Sequence, residues 1–235
     1  MKIPVMEVFG PTIQGEGMVV GQKTMFVRTA GCDYSCAWCD SSFTWDGTGK
    51  SVSKRPPEII EELKAIGGQL FSHVTISGGN PALHKGIGEL VDLCHAEGWK
   101  VGVETQASFW QDWLLNIDDI TLSPKPPSSR MVTDFDKLDR FMEKLADVNA
   151  SLKIVIFDED DFKFAEEVHL RYPAVPFFLQ TGNDDITTTD DAFLVPKLLQ
   201  RYEWLIELAV NSPVMNDAKV LPQLHALVWG NKRGV

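Results

Sequence analysis

Three of the four cysteines crowd into eight positions, Cys32, Cys36 and Cys39, in the spacing Cys-x3-Cys-x2-Cys. A disulfide framework distributes its cysteines in pairs, so an odd cluster in a chain of 235 residues points to metal. Gly31 precedes the first thiol and permits the tight turning that folds three thiolates around one centre. Structural zinc is closed by four ligands, and the nearest following histidine is His73. Three thiolates suit a 4Fe-4S cluster with one iron left open, where a cofactor could bind. Cys94 reads differently: with Ile87, Leu90 and Val91 it keeps i, i+3, i+4, i+7 spacing on an expected helix and belongs to the core.

Other residues gather acceptors and donors near that cluster in sequence. Phe9 to Gly17 holds too many glycines for a firm strand or helix and is expected to be a loop shaped for backbone approach. Within it Gln14 and Glu16, two residues apart in extended chain, face the same way and can read a ring edge that carries both donors and acceptors. Arg28 is in phase with Phe26 on a strand next to the cysteines, which invites a carboxylate partner, either from a ligand or from a structural Asp or Glu.

These residues need a frame. Expected strands run over Thr24 to Thr29, His73 to Ser77, Lys100 to Glu104, Asp119 to Ser123, Ser151 to Phe157 and Pro176 to Gln180, each rich in β-branched or aromatic residues. Pro57 opens a helix with Ile59, Ile60, Leu63 and Ile66 on one stripe, ended by Gly67-Gly68; another stops at Gly98, and a third, through Phe164 and Val168, stops before Pro173. Strands alternating with helices favour a parallel sheet. The expectation is therefore an α/β fold, a partial, open (β/α)6-type TIM-like barrel with a mostly parallel sheet, forming a single domain over 1–235, with reactive residues at the C-terminal ends of the strands. A doubly wound open sheet would give much the same pattern.

Composition limits the partners. A formal charge of -11 and a pI near 4.9 disfavour the basic face that nucleic acid binding needs. The first residues lack an apolar signal core, and no stretch holds 18 apolar residues without charges, so no membrane partner and a soluble, cytoplasmic protein are expected.

The Cys32, Cys36, Cys39 motif resembles that of the radical S-adenosylmethionine superfamily. The resemblance implies a 4Fe-4S cluster that binds the amino acid end of S-adenosylmethionine on its open iron and delivers an electron, releasing methionine and a 5'-deoxyadenosyl radical. Trp38 matches a position where an aromatic ring packs by the adenine, although a core ring would look the same. Ser77-Gly78-Gly79-Asn80-Pro81 resembles the Gly-Gly-Glu-Pro motif that holds the methionine amino group; Asn80 stands in place of the glutamate, which removes a charge and leaves a backbone role to Gly78 and Gly79. Glu104 could accept from ribose hydroxyls or simply be solvated. Ser123-Pro124-Lys125 could face the cofactor or form a rigid proline turn. Gln180 is expected near the adenosine in preference to the polar loop Asn183-Asp184-Asp185. Cys39 and Asp40 complete the expected cofactor contacts.

Ile13-Gln14-Gly15-Glu16-Gly17, Arg28, the cysteines with Asp40-Ser41 behind them, and Ser77-Gly78-Gly79 together resemble the 7-carboxy-7-deazaguanine synthase family. The match continues with Glu104-Thr105-Gln106, Ser123-Pro124-Lys125 and Gln223-Leu224-His225. It implies ring contraction of 6-carboxy-5,6,7,8-tetrahydropterin to 7-carboxy-7-deazaguanine and ammonia, in queuosine and 7-deazapurine biosynthesis, with S-adenosylmethionine regenerated. It further implies that Arg28 clamps the substrate carboxylate, that Ile13, Gln14, Gly15 and Glu16 border the pterin, and that Ser77 and His225 add contacts. Ser41 would hold Mg2+ together with substrate oxygens, a hydroxyl being an adequate ligand for that ion. A flavodoxin or ferredoxin as electron donor and a homodimer complete the expectation. The segment after His225 departs from the short endings of many family members. A glycyl-radical activating enzyme and a zinc-binding interaction module remain as alternative readings of the cysteine cluster.

Overall fold

Seven consecutive buried residues, Ala150–Ile156, form a strand covered on both faces, the signature of a central parallel strand between layers of helices. The computed structural model describes residues 1–235, and that strand, β7, lies within a single nine-stranded sheet. The others are β1 (Ile3–Ile13), β2 (Lys23–Thr29), β3 (Val52–Lys54), β4 (His73–Gly78), β5 (Lys100–Thr105), β6 (Asp119–Leu122), β8 (Phe177–Thr181) and β9 (Lys219–Leu221). Their order is β3-β1-β2-β4-β5-β6-β7-β8-β9; every pairing from β2 to β9 is parallel, and β1 is antiparallel to both neighbours.

All six expected strands are present with ends displaced by no more than one residue. β1 was not expected. Its register with β2 shifts between Phe9 and Thr12, and Gly10 takes a φ of 118°, so a bulge absorbs the Gly10-Pro11 pair and pairing resumes at Thr12. The expected loop over 9–17 therefore begins only after Ile13. β9 is too short to show alternation.

The helices are α1 (Pro56–Gly67), α2 (Ile87–Ala96), α3 (Phe135–Lys144), α4 (Glu159–Arg171), α5 (Asp191–Asn211) and α6 (Leu224–Trp229). On α1 the buried stripe is Ile59, Ile60, Leu63 and Gly67; Ile66, expected in it, is 45% exposed because the stripe turns past it in the last turn. Cys94 is fully buried in the core, and burial pushes its thiol up to about 12. Between β5 and β6 there is only a 3-10 turn, Asp112–Asn116, where the strand-helix alternation suggested a helix. No helix is long and apolar enough to cross a membrane.

One main core joins the sheet to α1–α5. Ile76, Val101, Ile120, Leu152 and Ile154 are fully buried in it, and each such side chain stabilises the fold by about 1.5–3 kcal/mol. Parallel pairing gives β2 and β4–β9 a common C-terminal edge, so the segments that follow Thr29, Gly78, Thr105 and Leu122 converge there.

Candidate active site

A cavity of about 380 Å³ opens at that edge. Cys32, Cys36 and Cys39 border it, in a loop pinned from several sides by backbone bonds. Gly31 N–H donates to Thr44 O (2.8 Å), Asn80 N–H to Gly31 O (2.8 Å) and Ala37 N–H to Ser129 O (3.0 Å). Burial raises all three thiols above their ordinary range, Cys36 to about 11, so positive charge bound between them would favour their thiolate forms. Lys125 offsets part of this at Cys36. N–H groups already point at two sulfurs: Gln106 Nε2 lies 3.6 Å from Cys32 Sγ, and Trp45 Nε1 lies 3.5 Å from Cys39 Sγ.

The Gly78-Gly79 pair is dictated by this loop. A Cβ on Gly79 would collide with Gly31 O, and one on Gly78, whose φ is 140°, would collide with Thr29 O. Asn80 is fully buried and does not reach the cavity. Its amide donates to Asp33 Oδ1 (2.8 Å) and Ser108 Oγ (3.0 Å) and accepts from Thr105 Oγ1 (2.8 Å) and Ala82 N–H (3.1 Å). Gln106 grips the same Asp33 oxygen at 2.6 Å. The residue in the glutamate position is thus an anchor for the cysteine loop.

Trp38 lines the cavity, donates to Ser128 Oγ (2.9 Å) and packs 4.8 Å from the Phe157 ring. Lys125 Nζ donates to Ser123 Oγ (3.0 Å). Glu104 borders the same space, on β5. Across from the cysteines, Arg28 donates from Nε to Glu7 Oε1 (2.7 Å) and from Nη1 to Ser41 Oγ (3.2 Å), with its guanidinium between the Phe9 and Phe43 rings. The structural carboxylate partner exists, yet it occupies only Nε and leaves donors on the cavity side. Ser41 Oγ donates to Asp40 Oδ1 (2.9 Å). Asp40, Glu16 and His225 each bring one ligand-type atom within 4.8 Å of the others.

Glu16 receives Lys153 Nζ (2.6 Å) and Gln223 Nε2 (3.0 Å), with His225 Nδ1 at 3.8 Å. Burial opposes its ionisation, but the charge of Lys153, followed by that of His225, holds its carboxyl well below the usual range. Gly15 packs so closely on His225 that a Cβ there would lie 2.6 Å from Nδ1. Gln14 turns its Oε1 back to Gly15 N–H (2.7 Å).

Ile13, Gln14, Gly15, Glu16, Arg28, Ser77 and His225, with Cys32, Cys36, Trp38, Cys39, Asp40, Ser41, Gly78, Gly79, Glu104, Ser123 and Lys125, therefore border one cavity. Two of the expected residues do not. Pro124 is buried in the turn behind Ser123. Gln180 is fully buried with its amide given to Leu221 O of β9 (3.3 Å), and Asn183 occupies the wall instead.

Residues 26–155 match the model of the radical SAM superfamily, more than half of the chain. A 7-carboxy-7-deazaguanine synthase of Bacillus cereus is 67% identical, over 100% of this chain and 99% of that one. The chain belongs to the 7-carboxy-7-deazaguanine synthase family. Another member, from Bacillus subtilis, is 57% identical over 99% of this chain and 98% of its own. The crystal structure of QueE from Escherichia coli shares the fold, with a TM-score of 0.62 at 23% identity, covering 85% of this chain and 91% of that chain.

Family membership sets aside the zinc-module and activating-enzyme readings. Its cofactors are a 4Fe-4S cluster, S-adenosylmethionine and Mg2+, and the donor set fits them. Three thiols face one space, and on the same cavity wall Ser77 Oγ and Gln223 Oε1 are buried without a protein partner. Asp40 and Ser41 offer the oxygen ligands that a hard cation takes.

Several cavity residues were not read from the sequence as parts of a site. Lys153 looked like one more strand position, Trp45 carries no motif of its own beyond proximity to the cysteines, and Gln106 entered only as the end of the Glu104-Thr105-Gln106 match, with no role given to it. Residues 230–235 also border the cavity. Gly230, with a φ of 62°, starts this strap after α6; Asn231 bonds Asn183, and Arg233 reaches Glu7 Oε2 (3.2 Å) over the Phe43 ring.

Proposed function

We propose that the chain converts 6-carboxy-5,6,7,8-tetrahydropterin to 7-carboxy-7-deazaguanine and ammonia, as a carbon-nitrogen lyase of queuosine and 7-deazapurine biosynthesis. The observation that carries this is the 67% identity along the whole chain to the Bacillus cereus synthase. Loss of ammonia accounts for the whole difference between substrate and product, so no net oxidation is required. When bound, the cluster and S-adenosylmethionine supply the one-electron chemistry that lifts hydrogen from C6 of the pterin.

The chain's own residues do the rest. Cys32, Cys36 and Cys39 hold the cluster. Trp38, Asp40, Gly78, Gly79, Glu104, Ser123 and Lys125 bind S-adenosylmethionine, with Asn183 in the position first given to Gln180. Arg28 takes the substrate carboxylate on the donors that Glu7 leaves free. Glu16, Gln14 and His225 read the pterin edge, and Ser77 adds a hydroxyl. Asp40 and Ser41 hold Mg2+. In a chain of net charge -11, the cavity wall carries Arg28, Lys125, Lys153, Lys232 and Arg233 against Glu16, Asp40 and Glu104, a local excess of cations that favours an anionic substrate. The protein acts as a single domain over 1–235, in the cytoplasm, as a homodimer, and is reduced by a flavodoxin or ferredoxin.

The test is anaerobic reconstitution with iron and sulfide, reduction, and addition of S-adenosylmethionine and 6-carboxytetrahydropterin, with mass spectrometry of the product. 7-Carboxy-7-deazaguanine dependent on cofactor and reductant is expected. 5'-Deoxyadenosine without that product would move the substrate elsewhere.

A further inference from the structure

Lys153 is the only buried lysine, 1% exposed, at a position of β7 flanked by the fully buried Leu152 and Ile154. Its Nζ stands 2.6 Å from Glu16 Oε2 and 2.6 Å from Glu104 Oε1. One carboxylate would neutralise the ammonium; two on one cation leave a net negative pair aimed at the cavity. Burying such a triad is a poor way to gain stability, since apolar residues of similar size often do as well. The two carboxylates also arrive from different places, Glu104 on β5 and Glu16 just beyond β1, so the lysine fixes their separation.

We propose that Lys153 is a positioning residue that ties the cofactor subsite to the substrate subsite, orienting Glu104 and Glu16 through one shared cation. This rests on the assignment of Glu104 to S-adenosylmethionine and Glu16 to the pterin. Gln223 steadies the second oxygen of Glu16, so that carboxylate turns little on its own. Removing the lysine leaves two half-buried carboxylates to repel each other across the cavity wall, and both acceptors lose their aim. Neutralising Glu16 alone draws the ammonium wholly to Glu104, which then offers less charge to the hydroxyls it accepts from. A change in the substrate subsite is thereby felt in the cofactor subsite.

The experiment titrates reduced, cluster-loaded protein with S-adenosylmethionine in the absence of pterin, following the change in the electron paramagnetic resonance signal of the cluster. Lys153→Met weakens binding on the order of tenfold or more, as expected for truncating one partner of a buried charge pair. Glu16→Gln weakens it about fivefold, the low end of coupling between sites. Wild-type affinity in folded Lys153→Met, or in Glu16→Gln should the lysine variant fail to fold, overturns the proposal. Failure of the wild-type protein to bind oxidised 6-carboxypterin would overturn the pterin assignment instead, and the two titrations would still decide the link between Glu16 and the S-adenosylmethionine site.

Discussion

The cysteine end of the cavity comes from one short run of chain, Cys32 to Ser41, laid against the ends of β2 and β4, whereas the opposite end joins Glu16 to Gln223, 207 positions apart, and Glu7 to Arg233, 226 apart. The first is a local loop whose geometry follows from glycines and backbone bonds. The second exists only after the chain has folded, when α6 and the strap after it return to the loop following β1. Local construction suits a cluster, which needs three thiolates at fixed spacing. Assembly from distant segments suits a substrate pocket, which can be altered in one segment without disturbing the others.

Cys36→Ala breaks the local end outright: iron content and the brown chromophore should be lost with all turnover, and an active variant with an intact cluster would remove Cys36 from the ligand set. Arg28→Ala acts at the other end. It should leave S-adenosylmethionine binding in place while costing about 2 to 5 kcal/mol of pterin affinity, the range for truncating a buried charge-assisted contact. Unchanged pterin binding would make the Arg28–Glu7 pair purely structural. Arg233→Ala should raise the pterin KM only a few-fold, because its side chain is half exposed and an exposed cation over an aromatic ring contributes about 0.5–1 kcal/mol; an effect as large as that of Arg28 would make the strap a principal substrate contact.

Acid provides a milder probe of the assembled end. Lys153, and after it His225, overcome the cost of burial and bring the Glu16 carboxyl down to about 2. A carboxyl depressed on folding contributes stability above its unfolded value, near 4.5, and that contribution is lost as pH falls from there toward 2. In urea unfolding of the metal-free protein, the advantage of wild type over Glu16→Gln should shrink across that window; a constant difference would mean that the ion pair does not set the Glu16 ionisation.

What could be read from the sequence divides along the same line. β4, β5 and β7 were legible because β-branched runs between turn residues have one good conformation, and the cysteine loop because its chemistry lies within eight positions. β1 was obscured by Gly10-Pro11, which a bulge accommodates. Lys153 sat unnoticed within an apolar strand, since the partner that explains it, Glu16, is 137 positions away. Gln180 illustrates the opposite error: a strand-end amide looked available, but β9, too short to foresee, takes its N–H. Local propensity reports backbone form, while the destination of a side chain depends on neighbours brought by the rest of the fold.

The division of the cavity is tested most directly by measuring two affinities, for S-adenosylmethionine and for oxidised 6-carboxypterin, in reduced, cluster-loaded Glu104→Gln and Gln223→Ala. Glu104→Gln should lose chiefly S-adenosylmethionine and Gln223→Ala chiefly the pterin, each by on the order of tenfold. Equal losses of both ligands in both variants would contradict a cavity built as a cofactor end and a substrate end.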